Sequence, residues 1–377
     1  MRIRIPHWRL WVAGLLIGLP LLGFLVAASG IVPIKASSGH WAITEWLLQF
    51  GKRRSVAMHS LGVSVPEERR ESWVMKGAGH FETGCRPCHG APGNPDPEVA
   101  MAMLPRPPWL PDRVKDRKDR ELFYIVKHGI KFTGMPAWPV QDRDDEVIAM
   151  VAFLRRLPDL DAESYRRLVN GEAPRGASTI PLGDLAETAP APPDIAASCA
   201  RCHGDDGVGR GVGAFPKLAG QNREYLARSL DALADSRRQS GIMGPIAAAL
   251  KPDERARLAA YFSGLPGSGA TARQDTTAHM AGETIATDGI PDQNVPPCRA
   301  CHGPASHAHN PHYPHLAGQY AEYLELQLTL FRDGRRRGSP WAAIMQSIAS
   351  RLTPEQIRDV ARWYAGLPPQ PHGGSGR

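Results

Sequence analysis

Cys85-Arg86-Pro87-Cys88-His89 recurs as Cys199-Ala200-Arg201-Cys202-His203 and as Cys298-Arg299-Ala300-Cys301-His302, each followed by Gly. These three pentapeptides use all six cysteines of the chain. A structural zinc takes four ligands, so two pairs would have to combine and orphan the third. Three disulfides would leave the three following histidines without a purpose. C-x-x-C-H is the attachment signature for c-type haem. Its two thiols add across the porphyrin vinyl groups, and the next imidazole sits under the iron as proximal ligand. The expectation is three covalently bound haem c groups, attached through Cys85 and Cys88, Cys199 and Cys202, and Cys298 and Cys301. His89, His203 and His302 are then iron ligands.

At 377 residues the chain is long enough for two or three domains. A domain of about 80 residues has little core of its own, and a buried porphyrin supplies the missing apolar mass. Plentiful glycine (38) and proline (35), with 7% aromatics, suit short helices joined by long loops. The net charge of +7 would suggest acidic partners, but three haems bring about six propionates. No nucleic-acid function is read from it. The basic residues are scattered, apart from Lys52-Arg53-Arg54 and the mixed run from Arg113 to Lys118.

Arg2, Arg4 and Arg9 precede a stretch from Leu10 to Ile34 that carries no charge over 25 residues, enough to span a bilayer. The alternative is a cleaved signal peptide with Val26-Ala27-Ala28 as its cleavage site. The apolar run exceeds the usual signal core, which favours a retained anchor. Haem attachment takes place on the exported side, which puts the rest of the chain in the periplasm, at the cytoplasmic (inner) membrane. The segment from His40 to Phe50, with two tryptophans and a basic triplet behind it, reads as a helix at the membrane interface or as a plain buried helix.

Gly77, Phe81 and Cys85 follow at intervals of four, so Gly77 and Phe81 share the helix face that leads into the first motif. Val147, Met150, Val151 and Leu154 mark an amphipathic helix that ends at Leu157-Pro158. Two helices crossing at a glycine, with Phe81 and Phe153 nearby, resemble the terminal-helix pair of class I cytochromes c. In that family a methionine in a rigid loop supplies the sixth iron ligand. Met135, in Gly134-Met135-Pro136-Ala137-Trp138-Pro139 and 46 residues after His89, matches that place. The alternative is that it only packs on the ring. Met101 and Met103 follow the motif too closely to be strong rivals, and His128 reads as part of a solvated helix.

Beyond Ala189-Pro190-Ala191-Pro192-Pro193, a stiff linker by composition, the chain repeats itself. Phe215-Pro216-Lys217-Leu218-Ala219-Gly220-Gln221 returns as Tyr313-Pro314-His315-Leu316-Ala317-Gly318-Gln319. Tyr225-Leu226 and Tyr323-Leu324 follow at the same offset, and each copy closes on Gly-Leu-Pro, at Gly264 and Gly366. Thr353 and Gln356 fit a capping box with Pro354 at the first position of the final helix, and Gly366 fits its C-cap. Met243 and Met345 occupy equivalent places, 18 and 19 residues before Tyr261 and Tyr364. They are taken as sixth iron ligands, with packing on the ring as the alternative. Their rivals in the third copy are His307, His309, His312 and His315, which read as solvated loop residues; Met280 falls in a linker.

Residues 194–370 resemble the dihaem cytochromes of the c-four type, on the motif, the Pro-x-Leu-Ala-Gly-Gln-x-x-x-Tyr-Leu stretch, the late methionine and the terminal helix in both copies. The resemblance implies that these two domains pack face to face. Residues 194–198 leave little room for a helix before Cys199. The expected fold is all-α: three small class I cytochrome c domains in tandem, the last two a pseudo-symmetric pair, behind one N-terminal transmembrane helix. The expected limits are 1–34 for the anchor, 35–70 for a juxtamembrane segment, 71–160, 194–268 and 289–370 for the haem domains, and 161–193 and 269–288 for linkers.

With His/Met ligation at all three irons, no axial position stays open for small-molecule chemistry. The chain also offers no nucleophile motif, phosphate-binding glycine loop or dinucleotide fingerprint. The expectation is an electron-transfer protein, not an enzyme. It would carry electrons in a respiratory chain between a quinol- or substrate-oxidising complex and a terminal oxidase or reductase. The alternatives are the cytochrome c subunit of a membrane-bound dehydrogenase, a layout that tri-haem cytochromes of alcohol and sugar-acid dehydrogenases share, and a haem enzyme with one open axial position.

Overall fold

The structure, a computed structural model, describes residues 7–32, 35, 37–171, 193–267, 276–303 and 310–369. Among them every named element is a helix, and strand-like pairing is limited to the isolated bridges Ala91–Asn94 and Ile290–Val295. The fold is all-α, as expected. Helix α1 (His7–Ala28) is apolar from Leu10 onward and exposed along that run, Trp11, Leu16 and Ile17 among its exposed residues. It is long and apolar enough to cross a membrane. Ile34, the end of the uncharged stretch, lies outside the described residues.

Helix α2 (Ala42–His59) is not a buried helix along its first half, where Ile43, Trp46, Leu47 and Leu48 are exposed. Its second half buries Val56 and is tied to the first haem domain. That domain is built from α3 (Glu71–His80), α4 (Asp119–His128), α5 (Asp144–Arg156) and α6 (Ala162–Asn170). His59 of α2 stacks on Tyr124 of α4 at 6.0 Å.

Helices α3 and α5 cross at Gly77, where a β-carbon would collide with the Ala149 carbonyl and come 2.6 Å from Phe153 Cβ. Only a residue without a side chain lets the two backbones approach this closely. Phe81 and Phe153, both fully buried, then meet at 5.0 Å between ring centroids. The Gly77–Phe81 spacing therefore does what it promised. Helix α3 continues into the motif as one wide turn, a π-helix over Phe81–Cys85. Helix α6 falls in the stretch read as linker, yet it buries Tyr165 and Val169 on this core, and the Tyr165 hydroxyl donates to Glu82 (2.6 Å). Apart from Ala162 and Leu168 its remaining residues are polar, which is why composition alone hid it. The Ala189–Pro192 part of that stretch lies outside the described residues.

The second domain comprises α7 (Pro193–His203), α8 (Arg223–Ala234), α9 (Met243–Ala248) and α10 (Pro252–Gly264). Helix α7 starts at Pro193, so a short helix does precede Cys199, contrary to the expectation from residues 194–198, and it runs straight through the motif. The third comprises α11 (Thr276–Thr287), α12 (Ala321–Arg332), α13 (Ala342–Ala349) and α14 (Pro354–Ala365). Helix α11 also falls in a stretch read as linker. It crosses α14 at Gly282, where a β-carbon would collide with the Asp359 carbonyl and come 2.8 Å from Trp363 Cβ. Small residues that look like linker composition are what a close crossing needs. The capping box of α14 is present, with Gln356 N–H donating to Thr353 Oγ1 (3.2 Å) and Thr353 N–H to Gln356 Oε1 (2.8 Å). Gly366 caps it with φ −80°, so its left-handed freedom is unused and Pro368 ends the run.

The second and third domains pack through a reciprocal contact. Lys217 N–H donates to Gln319 Oε1 (3.0 Å) and Gln319 Nε2 donates back to the Lys217 carbonyl (3.0 Å). At the equivalent positions His315 N–H donates to Gln221 Oε1 (2.8 Å) and Gln221 Nε2 to the His315 carbonyl (2.9 Å). This is the isologous pattern of a two-fold interface, written within one chain.

Candidate haem sites

In all three motifs the histidine is oriented by the same device. Nδ1 lies on a proline carbonyl: His89 on Pro108 (3.0 Å), His203 on Pro216 (3.1 Å) and His302 on Pro314 (2.9 Å). A carbonyl oxygen can only accept, so Nδ1 carries the proton and Nε2 keeps its lone pair. That is the tautomer an iron-ligating imidazole requires, with its ring fixed by the other nitrogen. Burial lowers the pKa of His89 and His203, more than the carbonyl hydrogen bond raises it, and keeps both rings neutral. Pro216 and Pro314 stand at equivalent places in the internal repeat, and that equivalence is the sequence signal for their shared role.

The cysteines are equally consistent. Burial, helped by the neighbouring Cys88, pushes the Cys85 thiol up to about 12, and burial carries Cys199 and Cys298 to about 11. The six sulfurs form no disulfide. Among the described residues no three His, Cys, Asp or Glu side chains gather as a metal site.

The second and third motifs open into one cavity of about 520 Å³. Cys199, Cys202, His203 and Met243 line it from one side, and Cys298, Cys301, His302 and Met345 from the other. The structure thus brings His203 and His302 to the same chamber as Met243 and Met345, their expected partners. Met243 opens α9 and Met345 lies within α13. Leu226, Leu258 and Phe262 line the second half, and Leu324, Val360 and Tyr364 the third. Tyr364 also donates its hydroxyl to the Gly303 carbonyl (3.1 Å), pinning the residue after His302.

Two guanidiniums cross between the halves of this chamber. Arg336 Nη2 donates to the Tyr225 hydroxyl (2.8 Å), and Arg238 Nη2 lies 3.4 Å from the Tyr323 hydroxyl. Neither arginine pairs with a carboxylate among the described residues. Burial would raise the Tyr225 phenol, but Arg336 and Arg238 outweigh it and hold it below its ordinary range. Two buried cations in an apolar chamber call for anions, and porphyrin propionates meet that need. Apolar walls, paired thiols, oriented imidazoles and unmatched guanidiniums fit haem c.

At the first site the Met135 loop is held by its backbone. Ile130 N–H donates to the Met135 carbonyl (3.2 Å), Met135 N–H to Thr133 Oγ1 (3.1 Å), and Trp138 N–H to the Lys127 carbonyl (2.9 Å). Of the rivals, the Met103 methyl abuts Gly134, Met101 is exposed, and His128 is exposed at the end of α4. In the third domain, His307 and His309 lie outside the described residues. His312 and His315 are not solvated loop residues. Both line the cavity; His312 stacks on Trp341 at 4.7 Å, and the His315 backbone holds Gln221. The two-fold interface draws them in, and one sequence copy gives no sign of it.

Comparison with known proteins assigns the same pieces. A family model for the cbb3-type cytochrome c oxidase subunit III matches residues 73–154, and the cytochrome c model matches residues 194–266 and 281–367. The chain is 39% identical over 187 residues to a thiosulfate dehydrogenase electron acceptor of Thiomonas intermedia, covering 49% of this chain and 85% of the relative. It is 35% identical over 173 residues to a cytochrome c4 of Pseudomonas aeruginosa, covering 46% of this chain and 85% of the relative. The crystal structure of reduced cytochrome c4 from Pseudomonas stutzeri superposes with a TM-score of 0.42 and 31% identity, covering 49% of this chain and 96% of that one.

Proposed function

This chain belongs to the class I cytochrome c family, and on that premise we propose that it is a membrane-anchored tri-haem electron carrier of the periplasmic face. It takes electrons from a quinol- or substrate-oxidising complex and passes them to a terminal oxidase or reductase. The observation that carries this reading is one geometry repeated three times: a cysteine pair, and a histidine whose Nδ1 is held by a proline carbonyl. Haem c held there supplies a one-electron iron couple, whose potential a methionine thioether raises. The chain itself fixes each imidazole through a proline carbonyl, excludes water with apolar walls and offers Met135, Met243 and Met345 as sixth ligands. Helix α1 holds the assembly at the membrane, and the exposed tryptophan-bearing half of α2 lies along its surface.

A second reading is favoured by the relatives. Two proteins similar to the C-terminal half are described as thiosulfate dehydrogenase electron acceptors, which supports a dedicated subunit of a dehydrogenase. The first domain matches an oxidase-subunit family instead, which supports the carrier reading. Capture of the full chain from gently solubilised membranes, with identification of stoichiometric partners, separates the two. A dehydrogenase partner makes it a subunit, and an oxidase or no fixed partner makes it a carrier. A haem content below three per chain would overturn the tri-haem reading.

A further inference from the structure

Among the described residues Glu146 is the one buried carboxylate, 2% exposed, and it lies in the first turn of α5. Its four partners come from two domains. Within its own domain, Oε2 accepts from the Trp138 indole N–H (3.0 Å) and Oε1 faces the Arg143 guanidinium at 3.1 Å. From the second domain, the Ser240 hydroxyl donates to Oε1 (2.6 Å) and the Gly241 backbone N–H to Oε2 (2.7 Å). Arg143 extends the same hold by one residue, its Nη1 donating to the Gln239 carbonyl (2.6 Å). Three consecutive residues of the second domain are thus gripped from the first. A β-carbon at Gly241 would collide with the Trp138 indole nitrogen and come 2.9 Å from Glu146 Oε2. The fit is close enough to demand glycine.

What these residues lead into gives the contact its meaning. Ser240 Oγ, while donating to Glu146, accepts from the backbone N–H of Met243 (3.0 Å) and of Ile242 (3.3 Å). It therefore caps the start of α9, whose first residue is Met243. On the other side, Trp138 closes the loop that carries Met135, three residues earlier. One carboxylate joins the methionine loops of two sites. The approach of the two domains is close beside it as well: a β-carbon at Gly79 would stand 3.3 Å from Cys202 Sγ and 3.0 Å from the Phe215 ring. The third domain anchors its methionine without a buried carboxylate among the described residues: Met345 N–H donates to the Trp341 carbonyl (3.2 Å), and Trp341 stacks on His312 of its own domain and meets Arg228 of the second domain over its ring (5.5 Å).

We infer that Glu146 is a positioning residue for Met243, so that docking of the first domain sets the sixth ligand of the middle haem. This rests on the reading of Met243 as that ligand. The full-length holoprotein is the object of the test, in detergent. In the reduced state each iron-bound methionine gives its own strongly upfield methyl proton resonance, and M135A, M243A and M345A assign them. E146A is expected to remove or broaden the Met243 resonance and to leave that of Met345 unmoved. S240A keeps the Glu146 contacts with Trp138, Arg143 and Gly241 but breaks the hydroxyl link to the Met243 N–H. It is expected to weaken the same resonance with the domains still docked, and a Ser240→Thr variant, which retains the hydroxyl, to restore it. An unchanged Met243 resonance in both E146A and S240A overturns the inference while the ligand assignment stands. If M243A itself removes no resonance, the ligand assignment falls and the inference falls with it.

Discussion

The proline carbonyls at His89, His203 and His302 decide which nitrogen can bind iron, so the iron chemistry turns on what stands at the sixth position. With three thioethers in place the reduced protein should bind no carbon monoxide. Met135→Ala, Met243→Ala and Met345→Ala should each open one iron of three, seen as carbon monoxide binding at that haem and a lower potential for it. Binding by the wild type would make one site open and revive the enzyme reading. A different residue adds to the loss of stability in acid. Burial pushes the His80 imidazole, 4.6 Å from the Trp138 ring, down to about 4 from 6.5. As pH falls between those values the unfolded chain takes up a proton that the folded chain refuses, so stability is lost through that window. The loss from His80 amounts to about 3 kcal/mol. Denaturant titrations at pH 7 and pH 4 should show His80→Leu losing less stability than wild type by that order.

At the scale of helices, legibility followed geometry that is local in sequence. The Gly77–Phe81 spacing, the apolar face of α5 and the Thr353–Gln356 box could be read because both partners of each sit within a few turns. Helices α6 and α11 could not, since each buries only a few small or scattered residues and otherwise matches linker composition. Gly282 shows what was missed: a glycine in a weak helix matters only once its neighbour, some 80 residues later, is known. Gly77→Ala and Gly282→Ala each press a methyl into backbone, and each should cost about 1–3 kcal/mol by calorimetry. Gly264→Ala, where nothing lies within 4 Å of the added carbon, is the control expected to leave its domain unharmed.

For the molecule as a whole, the internal repeat foretold a pair of domains, but not how they are joined. Nor does anything local distinguish Glu146 from the acidic first-turn residues Asp144 and Asp145 beside it, because two of its four partners lie 94 and 95 residues on, in another domain. The glutamines of the repeat are better placed for a test, since pseudo-symmetry makes a quantitative demand. Gln221 and Gln319 each make two hydrogen bonds to the backbone of the opposite domain. Two such bonds contribute roughly 2 kcal/mol net, so Gln221→Ala and Gln319→Ala should destabilise the pair about equally. Together they should approach the sum, because neither amide touches the other's partners. The double variant should then split one calorimetric transition of the two domains into two, while His203 and His302 keep their own proline carbonyls and each domain its haem. Electron exchange between the second and third haems should slow with it, as the shared chamber opens to water. Unequal single effects would mean that the interface is held from one side only and that its two-fold character is confined to the sequence.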